Sequence, residues 1–228
     1  MRVGILVQVR LGSTRLPGKA LLPLPGGTVI QHVMRSLLSV PADARALVTE
    51  ARSAEALGPL AQEEGFHLFV GPEEDVLARY CMACREMDVD RVIRATGDNP
   101  LTSPSLARSI LAAHAAGGFD LSHYLDIPWG TGVEVVEAAA LFRAEREAHD
   151  QAEREHITTW LYRHPDMFRI HEPEGPPGSR FPGANVTVDT EEDYTRVRGI
   201  FENLYTGSPI DVDTLVPWFA ARAGKAAR

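Results

Sequence analysis

Cysteine is scarce. The 228 residues hold two, Cys81 and Cys84, too few for a disulfide framework. No apolar run approaches the roughly eighteen residues that a membrane-spanning helix needs. The N-terminal MRVGILVQVR has a short apolar run stopped by Arg10, without the longer hydrophobic stretch and small-residue cleavage site of a secretory signal. A soluble, cytoplasmic protein is expected. Positive charge is also in deficit: 23 Lys and Arg against 31 Asp and Glu leave a formal net charge of -8. That balance argues against a broad basic face for nucleic acid, so an anionic ligand must be met by a local cluster of cations. Walker A, GxGxxG and HExxH patterns are all missing, as are internal repeats and long low-complexity tracts.

The two cysteines form a CxxC, but no second CxxC or nearby histidine cluster completes a zinc site. They lie in EEDVLARYCMACREM, where Val76, Leu77, Tyr80, Cys81, Cys84 and Met87 recur at helical spacing. Small reduced side chains on a packed helix are expected there. His32, His114 and His149 also fall in helical segments and are expected to be structural or exposed.

What is present is a regular alternation. Residues 2–9 read as a buried strand, and PGGTVIQHVMRSLL as a turn and an amphipathic helix with Val29, Ile30, Val33, Met34, Leu37 and Leu38 on one side. Residues 44–50, FHLFVG and DRVIRATGD read as further strands, separated by the helices SAEALGPLAQEEG and EEDVLARYCMACREM. The pattern predicts one α/β domain over 1–228, with parallel central strands covered by helices on both faces. Ser103 and Pro104 mark the start of another helix. Residues 119–137 predict two short strands around a Pro/Gly turn, followed by two charged helices over 138–163. Residues 119–165 are therefore the candidate acceptor and dimerisation segment. The Pro/Gly-rich stretch 171–185 predicts a mobile loop. NVTVDTEEDY predicts a strand ending at Asp189, with Thr190 and Asp193 as a helix-capping pair, and the last residues, AARAGKAAR, are expected to fray.

Three clusters carry chemistry. In RLGSTRLPGK, Gly12 and Gly18 permit close backbone approach, Ser13 and Thr14 add hydroxyls, and Arg10, Arg15 and Lys19 supply charge. A triphosphate suits this loop at the C-terminal end of the first strand, the edge where open α/β sheets bind ligands. In RATGDNP and NVTVDTEED, Asp98 and Asp189 each follow a predicted strand. If both strands lie centrally in one sheet, the two carboxylates can converge on Mg²⁺, which commonly takes one or two carboxylates plus substrate phosphates.

RLGSTRLPGKAL, EEDVLARY, RATGDNPL, EREHITTWL and NVTVDTEEDY, in this order, resemble the SpsF-like cytidylyltransferase family and, more distantly, the synthetases that couple CMP to sialic acid and to Kdo. The resemblance spans roughly 3–204. Val9 departs from the Ala common in the first motif, and a Pro-rich stretch precedes the VDT segment. The resemblance implies a Rossmann-like nucleotidyltransferase fold with a mixed, mostly parallel sheet of about seven strands flanked by helices, with a small acceptor and dimerisation lobe. It implies transfer of CMP from CTP to an acidic sugar or a phosphonate or phosphate acceptor, with release of pyrophosphate. Arg10, Arg15 and Lys19 would hold the triphosphate with Gly12 and Ser13 alongside, and Arg15, Lys19 and Asp98 would carry catalysis. Gln8, Thr49 and Arg79 would lie near the base, Thr96 near the ribose, and Asp98 with Asp189 on Mg²⁺. Acceptor candidates are Tyr124, Asp126, Glu134, Glu155 and His156, the last two matching the family's EH motif; Trp129 is expected to serve packing or an interface. Relatives often pair, so a homodimer is expected. The rival readings are a glycosyltransferase consuming a nucleotide sugar, a nucleotidyltransferase using another NTP, and a non-catalytic nucleotide-binding module.

Overall fold

In the computed structural model, which describes residues 1–226, the alternation resolves into a seven-stranded sheet. Strands β1 (Val3–Gln8), β4 (Ala44–Thr49), β5 (His67–Val70) and β6 (Arg91–Thr96) are parallel and ordered β5-β4-β1-β6. Beyond β6 come β8 (Glu134–Glu137), antiparallel to it, then β7 (Leu121–Ser122) and β9 (Ile170–His171). A two-stranded hairpin, β2 (Pro23–Leu24) with β3 (Gly27–Thr28), follows the basic loop.

The two-residue period of the strands sorts their side chains into two cores. Ile5, Val7, Leu47 and Ile93 pack against α1 (Val29–Leu37), α2 (Ala51–Glu63) and α4 (Pro104–Gly117). Leu6, Val48, Val92 and Val136 face α3 (Val76–Glu86), α5 (Ala138–Glu147) and α7 (Thr159–Arg163). Helix α1 begins at a Thr28–Gln31 capping box, buries Ile30, Val33, Met34 and Leu37 completely, and ends before Leu38, which is exposed rather than on the apolar side. Ser103 caps α4 with Pro104 following, and Thr190 with Asp193 forms a capping box on α8 (Glu191–Leu204).

Three expectations need correction. Residues 186–189 join no strand of the sheet: Val186 and Val188 are buried against α8 and α9 (Val212–Ala226), and only Asn185 makes a bridge, to Trp129. Residues 138–163 form three helices, because Asp150 caps an additional short one, α6 (Gln151–Glu155). The C-terminal stretch, expected to fray, is helical as far as Ala226, and 227–228 lie outside the described residues. Within 171–185, Glu174 bridges to Leu125, so the segment runs alongside the 125–129 stretch at both of its ends.

Candidate active site

The C-terminal ends of β1 and β6 open into a cavity of about 390 Å³ lined by the basic loop, the start of α3, the Thr96–Asp98 turn, the Glu155–His156 elbow and Asp189. The loop leaves β1 at Val9 and folds back when the Gly18 N–H donates to the Leu11 carbonyl (3.0 Å). Gly18 makes this return with φ +68°, left-handed backbone that a glycine adopts without strain. Gly12 lines the cavity, and a Cβ there would meet no protein atom within 4 Å, so its bare backbone leaves room for a ligand.

At one end of the cavity Lys19 Nζ donates to Asp98 Oδ2 (2.6 Å) and Asp189 Oδ1 (2.7 Å), and the Arg15 guanidinium reaches Asp189 Oδ1 at 3.0 Å. The lysine side chain is 12% exposed. A backbone bond from Val188 N–H to the Asp98 carbonyl (2.9 Å) brings the two aspartates together, although their segments are not neighbouring strands. Arg10 pairs with Glu155 at 3.3 Å. Thr96 Oγ1 accepts from Asn99 Nδ2 (2.8 Å), and Ser13 Oγ from the Leu16 N–H (3.4 Å).

At the other end sits Arg79, which is 1% exposed and makes no ion pair among the described residues. Its Nε and Nη2 donate to the Pro72 carbonyl, and Nη2 also to that of Glu73, while Nη1 makes no protein bond. Burial lowers its pKa from the ordinary arginine value. A buried cation held only by carbonyls and lining a cavity is suited to donate to a polar ligand there.

The family-model comparison matches cytidylyltransferase over residues 4–206. The spore coat polysaccharide biosynthesis protein SpsF of Bacillus subtilis (strain 168) is 33% identical over 204 residues, covering 86% of this chain and 85% of its own. The chain belongs to the cytidylyltransferase family. Members are CTP-dependent nucleotidyltransferases, which removes the glycosyltransferase and non-catalytic readings. The 3-deoxy-manno-octulosonate cytidylyltransferase of Trichlorobacter lovleyi is 31% identical over 108 residues, 46% of this chain and 42% of that one. A solved cytidylyltransferase from Leptospira borgpetersenii serovar Hardjo-bovis superposes with a TM-score of 0.90 at 24% identity, covering 98% of this chain and 96% of that one. The likeness in fold therefore extends through the 119–165 segment.

For this cytidylyltransferase, the cavity gathers Gln8, Arg10, Gly12, Ser13, Arg15, Lys19, Arg79, Thr96, Asp98, Glu155, His156 and Asp189. Four sequence candidates lie elsewhere. Thr49 is fully buried and donates to the Val9 carbonyl (2.8 Å), anchoring the root of the basic loop instead of facing the base. Glu134 is the cross-strand partner of Arg94 (2.5 Å) and accepts from Thr158 Oγ1 (3.2 Å) and Tyr162 OH (3.0 Å). Burial would raise the Glu134 pKa, but the Arg94 charge and these hydrogen bonds hold it below the usual range. Tyr124 packs between two core clusters with its hydroxyl donating to Ser109 (3.1 Å), and Asp126 occupies a left-handed turn (φ +59°). Neither touches the cavity. Trp129 is 73% exposed, so it is no packing residue.

The sequence reading missed Arg94, Thr158 and Tyr162, which build the wall behind Gln8. A charged residue at an inward position of VIRAT was the available signal, since an arginine buried in a central strand needs a partner. Cys81 and Cys84 are buried and unpaired. Burial pushes the Cys84 thiol up to about 12 and that of Cys81 higher still. Among the described residues no helix is long and apolar enough to cross a membrane.

Proposed function

We propose that this cytidylyltransferase transfers CMP from CTP, with Mg²⁺, to the anionic oxygen of an acidic sugar or a phosphonate or phosphate acceptor, releasing pyrophosphate. The observation that carries the reading is Lys19 held between Asp98 and Asp189, with Arg15 beside them, on the C-terminal edge of a parallel sheet. The two carboxylates already hold one cation between them through hard oxygens. Among the described residues no set of three or more His, Cys, Asp or Glu side chains could hold a metal alone. Both features fit an ion that takes two carboxylates and completes its shell with substrate phosphates. Bound there, Mg²⁺ would neutralise phosphate oxygens as charge builds on them.

The rest follows from the chain's own groups. The acceptor oxygen forms a bond to the α-phosphorus as the bond from that phosphorus to the pyrophosphate oxygen breaks. Arg15 and Lys19, with loop amides near Gly12 and Ser13, neutralise the departing pyrophosphate, and their fixed positions keep donor and acceptor in line. An acceptor that is already anionic needs no general base. Arg79 and Gln8 serve the base, and Thr96 the ribose. Glu155 and His156 line the acceptor side. The names of the curated relatives, a polysaccharide biosynthesis protein and a 3-deoxy-manno-octulosonate cytidylyltransferase, support an acidic sugar for a surface glycan. A cytoplasmic homodimer accords with this reading. Trp129 and Leu125, 73% and 42% exposed, offer apolar contact surface within 119–165, and a monomer mass by light scattering at micromolar concentration would count against the dimer.

Pyrophosphate release from CTP and Mg²⁺ across a panel of acidic sugars and phosphonates tests the reading. Release with one acceptor and CTP supports it. No release with any acceptor, together with no stabilisation by CTP, would overturn it.

A further inference from the structure

Gln8 lies on the cavity side of β1, opposite Thr96 in register, and its amide oxygen faces the buried Arg94 guanidinium, whose Nη2 is 3.4 Å away. The orientation of that amide is dictated by chemistry. Arginine has donors and no acceptor, so only the Gln8 oxygen can face it and the NH₂ must turn elsewhere. Arg94 is itself fixed by Glu134, its register partner on β8, and Glu134 by Thr158 and Tyr162 of the α7 region. Gln8 Nε2 makes no protein hydrogen bond and is not among the buried orphan atoms.

The same cavity is lined by Arg79, whose Nη1 makes no protein hydrogen bond. Gln8 and Arg79 thus both line the cavity, each with N–H groups left without a protein acceptor, while Lys19 is engaged by the two aspartates. The carboxylate that could have supplied an acceptor at this level, Glu134, is turned inward and consumed by Arg94, Thr158 and Tyr162.

We propose that Gln8, oriented by the buried Arg94–Glu134 pair, is a base-selecting residue: with Arg79 it forms an all-donor patch that reads adjacent acceptors on a pyrimidine edge. Cytosine offers O2 and N3, both acceptors. Uracil replaces the second with an N3–H donor, which would meet another donor and leave both groups unpaired. Arg94 acts as a positioning residue, since it contacts Gln8 and does not line the cavity. The inference rests on the CTP reading above and adds the residues that enforce it.

The experiment is calorimetric titration of CTP and of UTP, each with Mg²⁺, into wild type, Gln8→Glu, and the double variant Arg94→Met with Glu134→Leu. Gln8→Glu places an acceptor where the amide donated. The double variant removes both buried charges together, which is often tolerated, and frees the amide to turn. Wild type should prefer CTP, and Gln8→Glu should reduce the CTP-to-UTP affinity ratio by about tenfold or more, equivalent to about 1.4 kcal/mol. The double variant should reduce the ratio too, while its melting temperature shows that it folds; a role confined to stability would leave the ratio unmoved. A Gln8→Glu protein that binds CTP over UTP by the wild-type ratio overturns the proposal even if the double variant fails to fold. A wild type with no preference for CTP instead overturns the nucleotide reading on which it rests.

Discussion

Replacing Lys19 by methionine separates the two jobs assigned to that residue. Its nitrogen lies 2.6 Å from Asp98 Oδ2 and 2.7 Å from Asp189 Oδ1, so removing it leaves two carboxylates at most about 5 Å apart, with only the exposed Arg15 guanidinium, on the Asp189 side, to offset them. At that separation and an effective dielectric near 20, their repulsion is about 3 kcal/mol. Solvent reaches both, 28% and 30% exposed, and reduces this to roughly 1–2 kcal/mol, a fall of about 2–8 °C in melting temperature for a domain of this size. Mg²⁺ should restore that loss, and its stabilising shift should be larger in the variant than in wild type, where the lysine competes for the same oxygens. Turnover should fall at least about a hundredfold, because roughly 3 kcal/mol of leaving-group stabilisation is gone. Melting curves with EDTA, with Mg²⁺ and with Mg²⁺ plus CTP, alongside pyrophosphate release, read both effects. Near wild-type turnover, or a Mg²⁺ shift no larger than that of wild type, would refute the reasoning.

Asp98→Asn should retain the fold, measured by circular dichroism, and lose about two or more orders of magnitude in turnover; activity close to wild type would remove Asp98 from the reaction. Burial holds His32 neutral, lowering its pKa from 6.5 to about 4 beside Phe201 and Tyr205. The unfolded chain therefore takes up the proton first as pH falls through that window, and stability is lost with it: about 2 kcal/mol between pH 7 and pH 5 by urea denaturation, a slope that His32→Phe should abolish. Glu134→Gln should cost roughly 3–5 kcal/mol in urea unfolding, because Arg94 would remain buried without its counter-charge. The thiols of Cys81 and Cys84 should resist alkylation at pH 8 until the protein unfolds, and rapid labelling of the native state would contradict their burial.

How far the sequence revealed the molecule depends on where the information lay. The parallel strands were legible because alternate residues such as Leu6 and Val7 serve opposite cores, and the helix starts because Thr28, Ser103 and Thr190 cap them locally. Residues 186–189 carry the same alternation and misled the reading: Val186 and Val188 are buried, yet against α8 and α9 rather than within the sheet. Periodicity reports that a face is covered, not by what. Glu134 shows the same boundary. Its place in the candidate acceptor segment suggested an acceptor contact, and only the antiparallel register of β8 against β6 places it opposite Arg94. No local pattern encodes that pairing. Thr49 likewise lies at a strand end, where ligands bind, but its hydroxyl is taken by the Val9 carbonyl.

The cations of the basic loop and the carboxylates around it neutralise one another: Arg10 with Glu155, Arg15 with Asp189, Lys19 with both aspartates. A chain of net charge -8 thereby keeps a strongly basic loop at a cavity without leaving it unpaired. On the proposed reading, this pairing couples the two ligands. A triphosphate drawing Lys19 and Arg15 toward its oxygens would leave Asp98 and Asp189 close together and uncompensated, the condition in which a divalent ion binds most favourably. An ion on the aspartates, in turn, would release the lysine for phosphate. Each ligand should therefore raise the affinity for the other by the same factor, since coupling between two binding equilibria is reciprocal. On that reading, the same charge pairs would make metal and nucleotide bind together.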